Sequence, residues 1–263
     1  MKTLVFLKTH FINDFVLNEL EKLKSCDTNN QKTVFFIHNH LNFLGTDKNG
    51  RQILNFNGKE QECFIFDEDL FKEFNLPVYS DKSNNISFSR MMWYCCDYPF
   101  YIMQKYYPDY DYYWQIESDV YCNGESYKPF FEKFENDTND LLVTNCIKID
   151  NFKLPNGKKQ SDEWVYTTPK RGVGMFMVVR MSNRAASLCY KRRLEHAELF
   201  EKVKDDANNK WVYCEYFCAT ECLNQGYTCD SVKESNLRFL PEYDIEKDIP
   251  KQYDNKLYHP IKS

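Results

Sequence analysis

The apolar and polar positions of the chain follow the period of a strand and that of a helix in turn. Short apolar runs predict strands at 3–7, 33–37, 63–66, 112–116, 140–145 and 174–180. Apolar residues that recur on one side predict helices at 13–23, 89–107, 182–204 and 211–224. Strands and helices that alternate along one chain indicate an α/β fold, in which a mixed sheet is flanked by helices within a single domain.

Polar residues, glycines and prolines mark the ends of several elements. The cluster Asp67-Glu68-Asp69 predicts the start of a short helix, because acidic side chains suit a helix N-terminus. Pro99 interrupts the second predicted helix. Segment 45–58, with three glycines, predicts a hairpin or an irregular excursion, whereas 150–172 predicts a long loop and the tail from 230 an irregular structure.

Length and composition allow a substantial core. Of the 263 residues, 43% are hydrophobic and 28% are charged. A net charge of −5 and a pI of about 5.6 exclude a globally basic surface, so no nucleic-acid partner is expected. The compact basic cluster Lys191-Arg192-Arg193 predicts a solvated helix face, with contact to an anionic membrane surface as the alternative.

The 11 cysteines do not indicate a secreted disulfide scaffold. Their number is odd, the chain is long, and the first apolar run, 4–7, is too short for a signal peptide. Cys214, Cys218 and Cys222 recur on one helix face without the second pair that a zinc site needs. No run approaches the ~20 apolar residues of a membrane span. We therefore expect reduced thiols in a cytoplasmic protein, at most peripheral to the inner face of the membrane.

Two acidic clusters flank the predicted strand 112–116, and sheet polarity separates them. Ligands of open α/β sheets bind at the carboxyl ends of the strands. The cluster Asp109-Tyr110-Asp111 precedes the strand and predicts a turn, whereas Glu117 and Asp119 follow it. In extended chain these two carboxylates point to one side. Together with a diphosphate they predict a site for Mg²⁺ or Mn²⁺.

The stretch 107–120, YPDYDYYWQIESDV, resembles the signature of GT-A-type glycosyltransferases, which include nucleotide-sugar enzymes of bacterial surface polysaccharides and related eukaryotic and viral proteins. The resemblance implies a GT-A-like, Rossmann-type mixed sheet, with a nucleotide-sugar-binding half at 1–122 and an acceptor half at 123–263. It also implies that Asp119 binds the metal and that Glu117 supports the metal or the donor. The motif here is Glu-Ser-Asp rather than Asp-x-Asp.

The C-terminal segment YHPIK, 258–262, is similar to the closing segment of many GT-A enzymes. This likeness implies that His259 completes the metal site and that Lys262 contacts a phosphate oxygen. The other donor contacts that the resemblance implies are Lys8, Thr9 and His10 after the first strand, His38 after the second, and Arg90 and Asp97 before the motif. The histidines after the second strand are interpreted as lining the base and ribose pocket or as capping the strand, rather than as a zinc site.

The segment 211–217, WVYCEYF, looks like the part of a GT-A enzyme that supplies an acid to the acceptor side. Glu215 is the first candidate for the catalytic base and Glu221 the second, since six positions along a helix place them on different sides. If the helix only packs, Glu215 is an ordinary exposed or salt-bridged acid. The glycine-containing, basic segment 169–174 is expected to close over the diphosphate.

The sequence thus predicts a metal-dependent, hexosyltransferase-like glycosyltransferase that uses Mn²⁺ or Mg²⁺. Its substrates would be a nucleotide-sugar donor and a glycan or glycolipid acceptor. One alternative is a nucleotidyltransferase on a similar sheet, which the absence of glycine from 8–13 disfavours. The other is a non-catalytic carbohydrate-binding protein.

Overall fold

The structure is a computed structural model, and it describes residues 1–39, 44, 49–77, 92–149, 170–202 and 211–261. The strands are β1 (Thr3–Thr9), β2 (Gln31–His38), β3 (Gly50–Phe56), β4 (Lys59–Phe66), β5 (Tyr112–Glu117), β6 (Tyr121–Cys122), β7 (Leu141–Ile149), β8 (Arg171–Ser182), β9 (Cys229–Val232), β10 (Leu237–Tyr243) and β11 (Leu257–Ile261). The helices are α1 (Asp14–Lys24), α2 (Glu68–Glu73), α3 (Tyr98–Tyr106), α4 (Lys128–Glu132), α5 (Asn183–Glu201), α6 (Cys214–Asn224) and α7 (Ile245–Asp248).

Eight strands form one mixed sheet in the order β3-β4-β2-β1-β5-β8-β7-β9. Its centre, β4-β2-β1-β5, is parallel, whereas β8 runs antiparallel to β5. The carboxyl ends of the four parallel strands therefore meet at one edge of the sheet. In this register Lys8 on β1 lies beside Glu117 on β5. The predicted fold class, a mixed α/β sheet with flanking helices, is confirmed.

Both faces of the large sheet are covered. Alternate residues of a strand point to opposite faces, so Leu4 and Phe6 pack in one core with α3, α5 and α6. Val5 and Leu7 pack in the other core, which includes apolar residues of α1 and α4. Burying a large apolar side chain stabilises the fold by about 1.5–3 kcal/mol.

The hairpin predicted around 45–58 is present as β3 and β4. Asn57 and Gly58 both have positive φ, 51° and 82°, which matches the backbone of a tight hairpin turn. The helix predicted at Asp67 is α2, and the Asp67 side chain accepts hydrogen bonds from the backbone of Asp69 and Leu70. The helical segment is interrupted just before Pro99, because 92–94 are helical and 95–97 form a turn, and Pro99 then lies in the first turn of α3, where a missing N–H costs nothing.

Two predictions made from local pattern are wrong. The tail from 230 contributes β9, β10 and β11, because these strands find partners far away in the sequence. Gly172 and Gly174 belong to β8 and not to a loop that closes over a ligand. A Cβ at Gly174 would lie 2.0 Å from Val143 Cγ2, so close packing explains the glycine. Residues 150–169, most of the predicted long loop, lie outside the described part of the chain.

The basic cluster at 191–193 does not form a patch. Arg193 is fully buried and paired with Asp97, while Arg192 is paired with Glu195 and Glu221. Lys191 alone of the three is largely exposed. Within the part of the chain that the structure describes, no helix has the length and apolarity to span a bilayer.

The cysteines are free thiols, as predicted, and all except Cys146 are buried. Cys214, Cys218 and Cys222 lie on the buried face of α6 with Cys189 of α5 in the same core. Among the described residues, no group of cysteines has the geometry of a metal site.

Candidate active site

A cavity of about 570 Å³ opens at the carboxyl edge of the parallel strands. The ends of β1, β2 and β5, the segment before α3, β10 and the end of β11 all contribute to its walls. This volume lies in the range of small-molecule sites. The position agrees with the polarity argument, because Asp111 lies at the opposite end of β5 and accepts a hydrogen bond from the Lys2 backbone.

Glu117 and Asp119 line this cavity, and His259 lies directly beside them. Each offers a ligand atom, and the three atoms lie within 4.8 Å of one another. His259 Nε2 lies 3.2 Å from Asp119 Oδ1 and 3.7 Å from Glu117 Oε2. No other cluster of metal-ligating side chains of this kind occurs among the described residues.

Strand pairing explains how His259 reaches residues 140 positions earlier in the chain. The short strand β6 begins two residues after Asp119 and pairs antiparallel with β11, with Tyr258 opposite Tyr121. The Ile261 N–H then donates to the Asp119 carbonyl oxygen at 3.1 Å. The backbone therefore fixes the C-terminal strand against the acidic triplet.

Lys8 contacts Oε1 of Glu117, the carboxylate oxygen that does not face His259. Its Nζ donates to Glu117 Oε1 at 2.9 Å and lies 3.1 Å from Cys96 Sγ. Burial opposes the charge on this amine, but Cys96 and Glu117 more than offset it, and the pKa of Lys8 is raised above its ordinary value. Lys8 therefore stays a cation and leaves Glu117 Oε2 facing His259.

Asp119 also keeps its charge in spite of burial. Burial would raise the pKa of this carboxyl, but the hydrogen bond and charge of His259 outweigh burial and hold the pKa below its ordinary value. Asp119 is thus ionised at neutral pH. Its side chain is 39% exposed, so it remains accessible to a ligand in the cavity.

The donor set fits a divalent cation. Two carboxylates and an imidazole suit Mn²⁺ better than Mg²⁺, which prefers oxygen alone. The cavity wall carries Glu117, Asp119 and Glu242 against the single cation Lys8, counted over the described lining residues. A diphosphate would be repelled there unless a metal ion lay between it and the carboxylates.

Several residues predicted to contact the donor lie at this cavity. Lys8, Thr9 and His10 line it from the end of β1, and His38 lines it from the end of β2. The His38 ring stacks on Phe66, with 5.0 Å between ring centroids. These positions are compatible with a pocket for the nucleotide, whose assignment remains a prediction. Arg90 and Lys262 lie outside the described residues.

Glu215 lies near the cluster, whereas the second candidate for the base does not. Burial, followed by the negative charge of Glu117, raises the pKa of Glu215. The Glu215 carboxylate makes no hydrogen bond to any side chain or backbone group in the described part of the chain. Glu221 is only 2% exposed and is paired with Arg192, so it serves the packing of α6 on α5 and does not face the cavity.

Asp97 is not a donor contact, which corrects the prediction. It is fully buried and accepts hydrogen bonds from Tyr101 Oη at 2.6 Å and Arg193 Nε at 2.6 Å. A ligand in the cavity cannot reach it. Its function is to neutralise Arg193 between α3 and α5.

Sequence reasoning missed Trp93, Cys96 and Glu242. Trp93 lines the cavity and is 70% exposed, which is unusual for a side chain of this size. Nothing in the local pattern distinguishes it from a core residue of the predicted helix. Glu242 comes from β10, which was predicted to be irregular.

Comparisons with known proteins give loose structural likenesses. They include an active-site mutant of LgtC (TM-score 0.45, 14% identity, 98% of this chain and 86% of that chain). Mouse xyloside xylosyltransferase 1 in its apo form gives a TM-score of 0.46 at 11% identity over 98% of this chain and 96% of that chain. Galactosyltransferase LgtC in complex with donor and acceptor sugar analogs gives 0.42 at 15% identity, over 91% and 76%.

No protein-family model matches the sequence, and no curated protein matches it either. Because the TM-scores lie below 0.5, the structural likenesses are too loose to assign a function. The chemistry of the cavity has to support the function on its own.

Proposed function

We propose that the protein is a metal-dependent glycosyltransferase that moves a sugar from a nucleotide-sugar donor to a glycan or glycolipid acceptor. The observation that carries the proposal is the convergence of Glu117, Asp119 and His259 at the carboxyl edge of a parallel sheet. The resemblance of 107–120 to a GT-A signature, noted from the sequence, adds the expectation of a nucleotide sugar. A hexose is the expected sugar.

The residues at the cavity would bind different parts of the donor. Asp119 and His259 would hold Mn²⁺, with Glu117 supporting them through Oε2. When bound, the metal supplies positive charge that stabilises the nucleoside diphosphate as it leaves. Lys8 keeps Glu117 in place and carries a second positive charge on the same wall. Thr9, His10 and His38 extend this wall towards the space for the nucleoside.

Glu215 is the candidate for the group that takes the proton from the acceptor hydroxyl. A general base works best when its pKa lies near the operating pH, and the raised pKa of Glu215 moves it in that direction. The role is a proposal, and Glu215→Gln tests it, because the amide keeps the shape of the side chain and removes the basic oxygen.

The nucleotidyltransferase alternative receives no support from the end of β1. The segment after Lys8 has no glycine-rich turn to cradle a triphosphate. Lys8 itself is already engaged by Glu117 and Cys96. A non-catalytic carbohydrate-binding protein could also hold a divalent cation, but it would not turn over a nucleotide sugar, so metal-dependent hydrolysis or transfer separates it from the enzyme.

A thermal-shift panel tests the proposal. UDP, GDP and CMP compounds are each added with and without Mn²⁺, to the natural protein and to Asp119→Ala. We expect one nucleotide class to raise the melting temperature only with Mn²⁺, and the variant to lose this rise. Hydrolysis of the matching nucleotide sugars then identifies the sugar. If the natural protein responds to no nucleotide in the presence of Mn²⁺, the proposal is wrong.

A further inference from the structure

Trp93 presents an unpartnered aromatic ring to the cavity. It is 70% exposed, although exposing an indole to water is unfavourable. Within the described part of the chain, its ring stacks on no other ring and its N–H donates no hydrogen bond. The neighbouring Tyr94, in contrast, stacks on Tyr213 with 4.2 Å between centroids. The exposed ring is therefore a feature that a ligand in the cavity would cover.

The backbone beneath this ring is fixed in place. The Trp93 carbonyl oxygen accepts from Cys96 Sγ at 3.1 Å and lies 4.0 Å from Cys214 Sγ. Trp211 Nε1 donates to Cys95 Sγ at 3.3 Å. The segment 92–96 is thus tied to the start of α6 at several points, which makes Trp93 a preorganised surface rather than a loose loop tip.

These ties place Trp93 beside the start of α6, the helix that carries the candidate base. Across the sheet the order of strands is β2, β1, β5 and β8. His38 lies at the end of β2, whereas Cys96, which anchors the Trp93 carbonyl, lies 3.1 Å from Lys8 at the end of β1 and 3.9 Å from Glu117 at the end of β5. Cys214, the other anchor, directly precedes Glu215. Trp93 is therefore tied to the residue that precedes the candidate base Glu215, while β1 lies between β5 and the strand that carries His38.

An exposed indole beside carboxylates suits a sugar ring. The apolar C–H face of a pyranose packs on an aromatic face, and its hydroxyls donate to carboxylates. A nucleobase would also stack on Trp93, but His10 and His38, which are expected near the nucleoside, follow β1 and β2, whereas Trp93 is tied to the start of α6. An anionic acceptor is disfavoured, since Glu117, Asp119 and Glu215 all lie nearby.

We propose that Trp93 forms the acceptor subsite and stacks against the pyranose ring of a neutral sugar whose hydroxyl faces Glu215. This inference rests on the proposed glycosyltransferase function and specifies its acceptor half. Trp93 would decide which acceptors bind, and it would make no contact with the nucleotide.

The experiment measures sugar binding to the protein loaded with Mn²⁺ and the nucleoside diphosphate identified in the thermal-shift panel. Methyl and p-nitrophenyl hexopyranosides are titrated while tryptophan fluorescence is recorded, with saturation-transfer NMR as a second readout. The variants are Trp93→Ala and Trp93→Phe. Tyr253→Ala is the matched control, because Tyr253 is another exposed aromatic residue, 61% exposed, that does not line this cavity.

We expect at least one hexopyranoside to bind the natural protein and to change the fluorescence of Trp93. Trp93→Ala should weaken that binding about tenfold or more, in line with the truncation of a buried tryptophan contact. Trp93→Phe should retain most of the affinity, since it keeps an aromatic face. The affinity for the nucleoside diphosphate should change by less than about threefold in both variants, which is under 1 kcal/mol.

The inference fails if Trp93→Ala weakens nucleoside diphosphate binding and leaves the sugar unaffected, because the ring would then hold the nucleobase. It also fails if the loaded natural protein binds none of the sugars, or binds an anionic sugar in preference to neutral ones. Failure of the proposed function is a separate result, since the natural protein would then bind no nucleotide with Mn²⁺ before any sugar is added.

Discussion

Asp97 and Asp119 are two aspartates in strongly contrasting surroundings. Asp97 is fully buried, and its two oxygens accept from Arg193 at 2.6 and 3.1 Å and from Tyr101 at 2.6 Å. Asp119 is 39% exposed and faces His259 at 3.2 Å, beside a second carboxylate. The first site is complete within the protein. The second gathers negative charge and ligand atoms at the wall of a cavity.

The contrast shows how a structural carboxylate differs from one that can bind a ligand. A buried ion pair tolerates the loss of neither partner, because the remaining charge is left in a medium of low polarity. A cluster of carboxylates at a cavity can instead be neutralised by a ligand that binds from solution, such as a metal ion. Substitution should therefore affect stability at Asp97 and binding at Asp119.

The largest effect is expected for Asp119→Ala. Loss of a metal ligand should reduce Mn²⁺-dependent transfer by about a thousandfold or more, equivalent to about 4 kcal/mol of transition-state stabilisation. The free energy of unfolding without metal should change little. Steady-state rates and urea unfolding measure the two quantities.

Asp109→Ala is the matched control for that prediction, because Asp109 is an exposed aspartate before β5, at the opposite end of the strand. It should leave transfer and Mn²⁺ binding unchanged. Equal losses in the two variants would mean that the cluster at the cavity has no special role.

Arg193→Met should produce the largest loss of stability. It leaves Asp97 buried without its cation, which costs about 3–5 kcal/mol. The double variant Asp97→Asn/Arg193→Met should recover part of this loss, since no uncompensated charge remains. Urea unfolding of the single and double variants measures both effects. A single variant as stable as the natural protein would contradict the account of Asp97.

Lys8→Met should separate nucleotide binding from metal binding. The variant removes a cation from the wall of the cavity and frees Glu117 Oε1. We expect the nucleoside diphosphate to bind about tenfold more weakly, about 1.4 kcal/mol, while Mn²⁺ binds at least as tightly. Calorimetric titrations with metal and then with nucleotide provide the measurement. Weaker Mn²⁺ binding would show that Lys8 supports the metal ligands in another way.

The contribution of His196 to the free energy of unfolding is the smallest of these effects at neutral pH, and it becomes larger in acid. Burial and the nearby charges of Arg193 and Arg192 lower the pKa of His196 to about 3. The unfolded chain takes up this proton below about pH 6.5 and the folded chain does not, so stability is lost as the pH falls from 6.5 towards 3.

His196→Phe should remove this part of the pH dependence. Relative to its own value at pH 7, the variant should lose about 2 kcal/mol less than the natural protein by pH 5. Urea unfolding at several pH values gives the comparison. Parallel pH profiles for the two proteins would exclude a buried neutral His196.

The alternation of apolar and polar residues was sufficient to predict the elements whose position depends mainly on neighbouring residues. The strands β1, β2 and β5, the helix α1 and the cap at Asp67 lie where the sequence indicates. Sheet polarity then placed Glu117 and Asp119 at the cavity before any family resemblance was used. These features depend on a few neighbouring residues and on one general rule about parallel strands.

The parts of the fold and of the site that depend on contacts between distant residues could not be predicted from the sequence pattern. Arg193 lies 96 positions from Asp97, so neither residue reveals the other, and Asp97 resembled a donor contact. The role of Trp93 depends on the docking of 92–96 against the start of α6. His259 entered through a resemblance alone, since the pairing of β6 with β11 that positions it has no local signal.

Direct titration of Mn²⁺ tests the central claim that Glu117, Asp119 and His259 form a metal site. Isothermal titration calorimetry of the natural protein should show one site, which Asp119→Ala abolishes. His259→Ala should weaken binding about tenfold or more, about 1.4 kcal/mol, and Asp109→Ala should leave it unchanged. Mn²⁺ binding that is as tight in Asp119→Ala as in the natural protein would contradict the account.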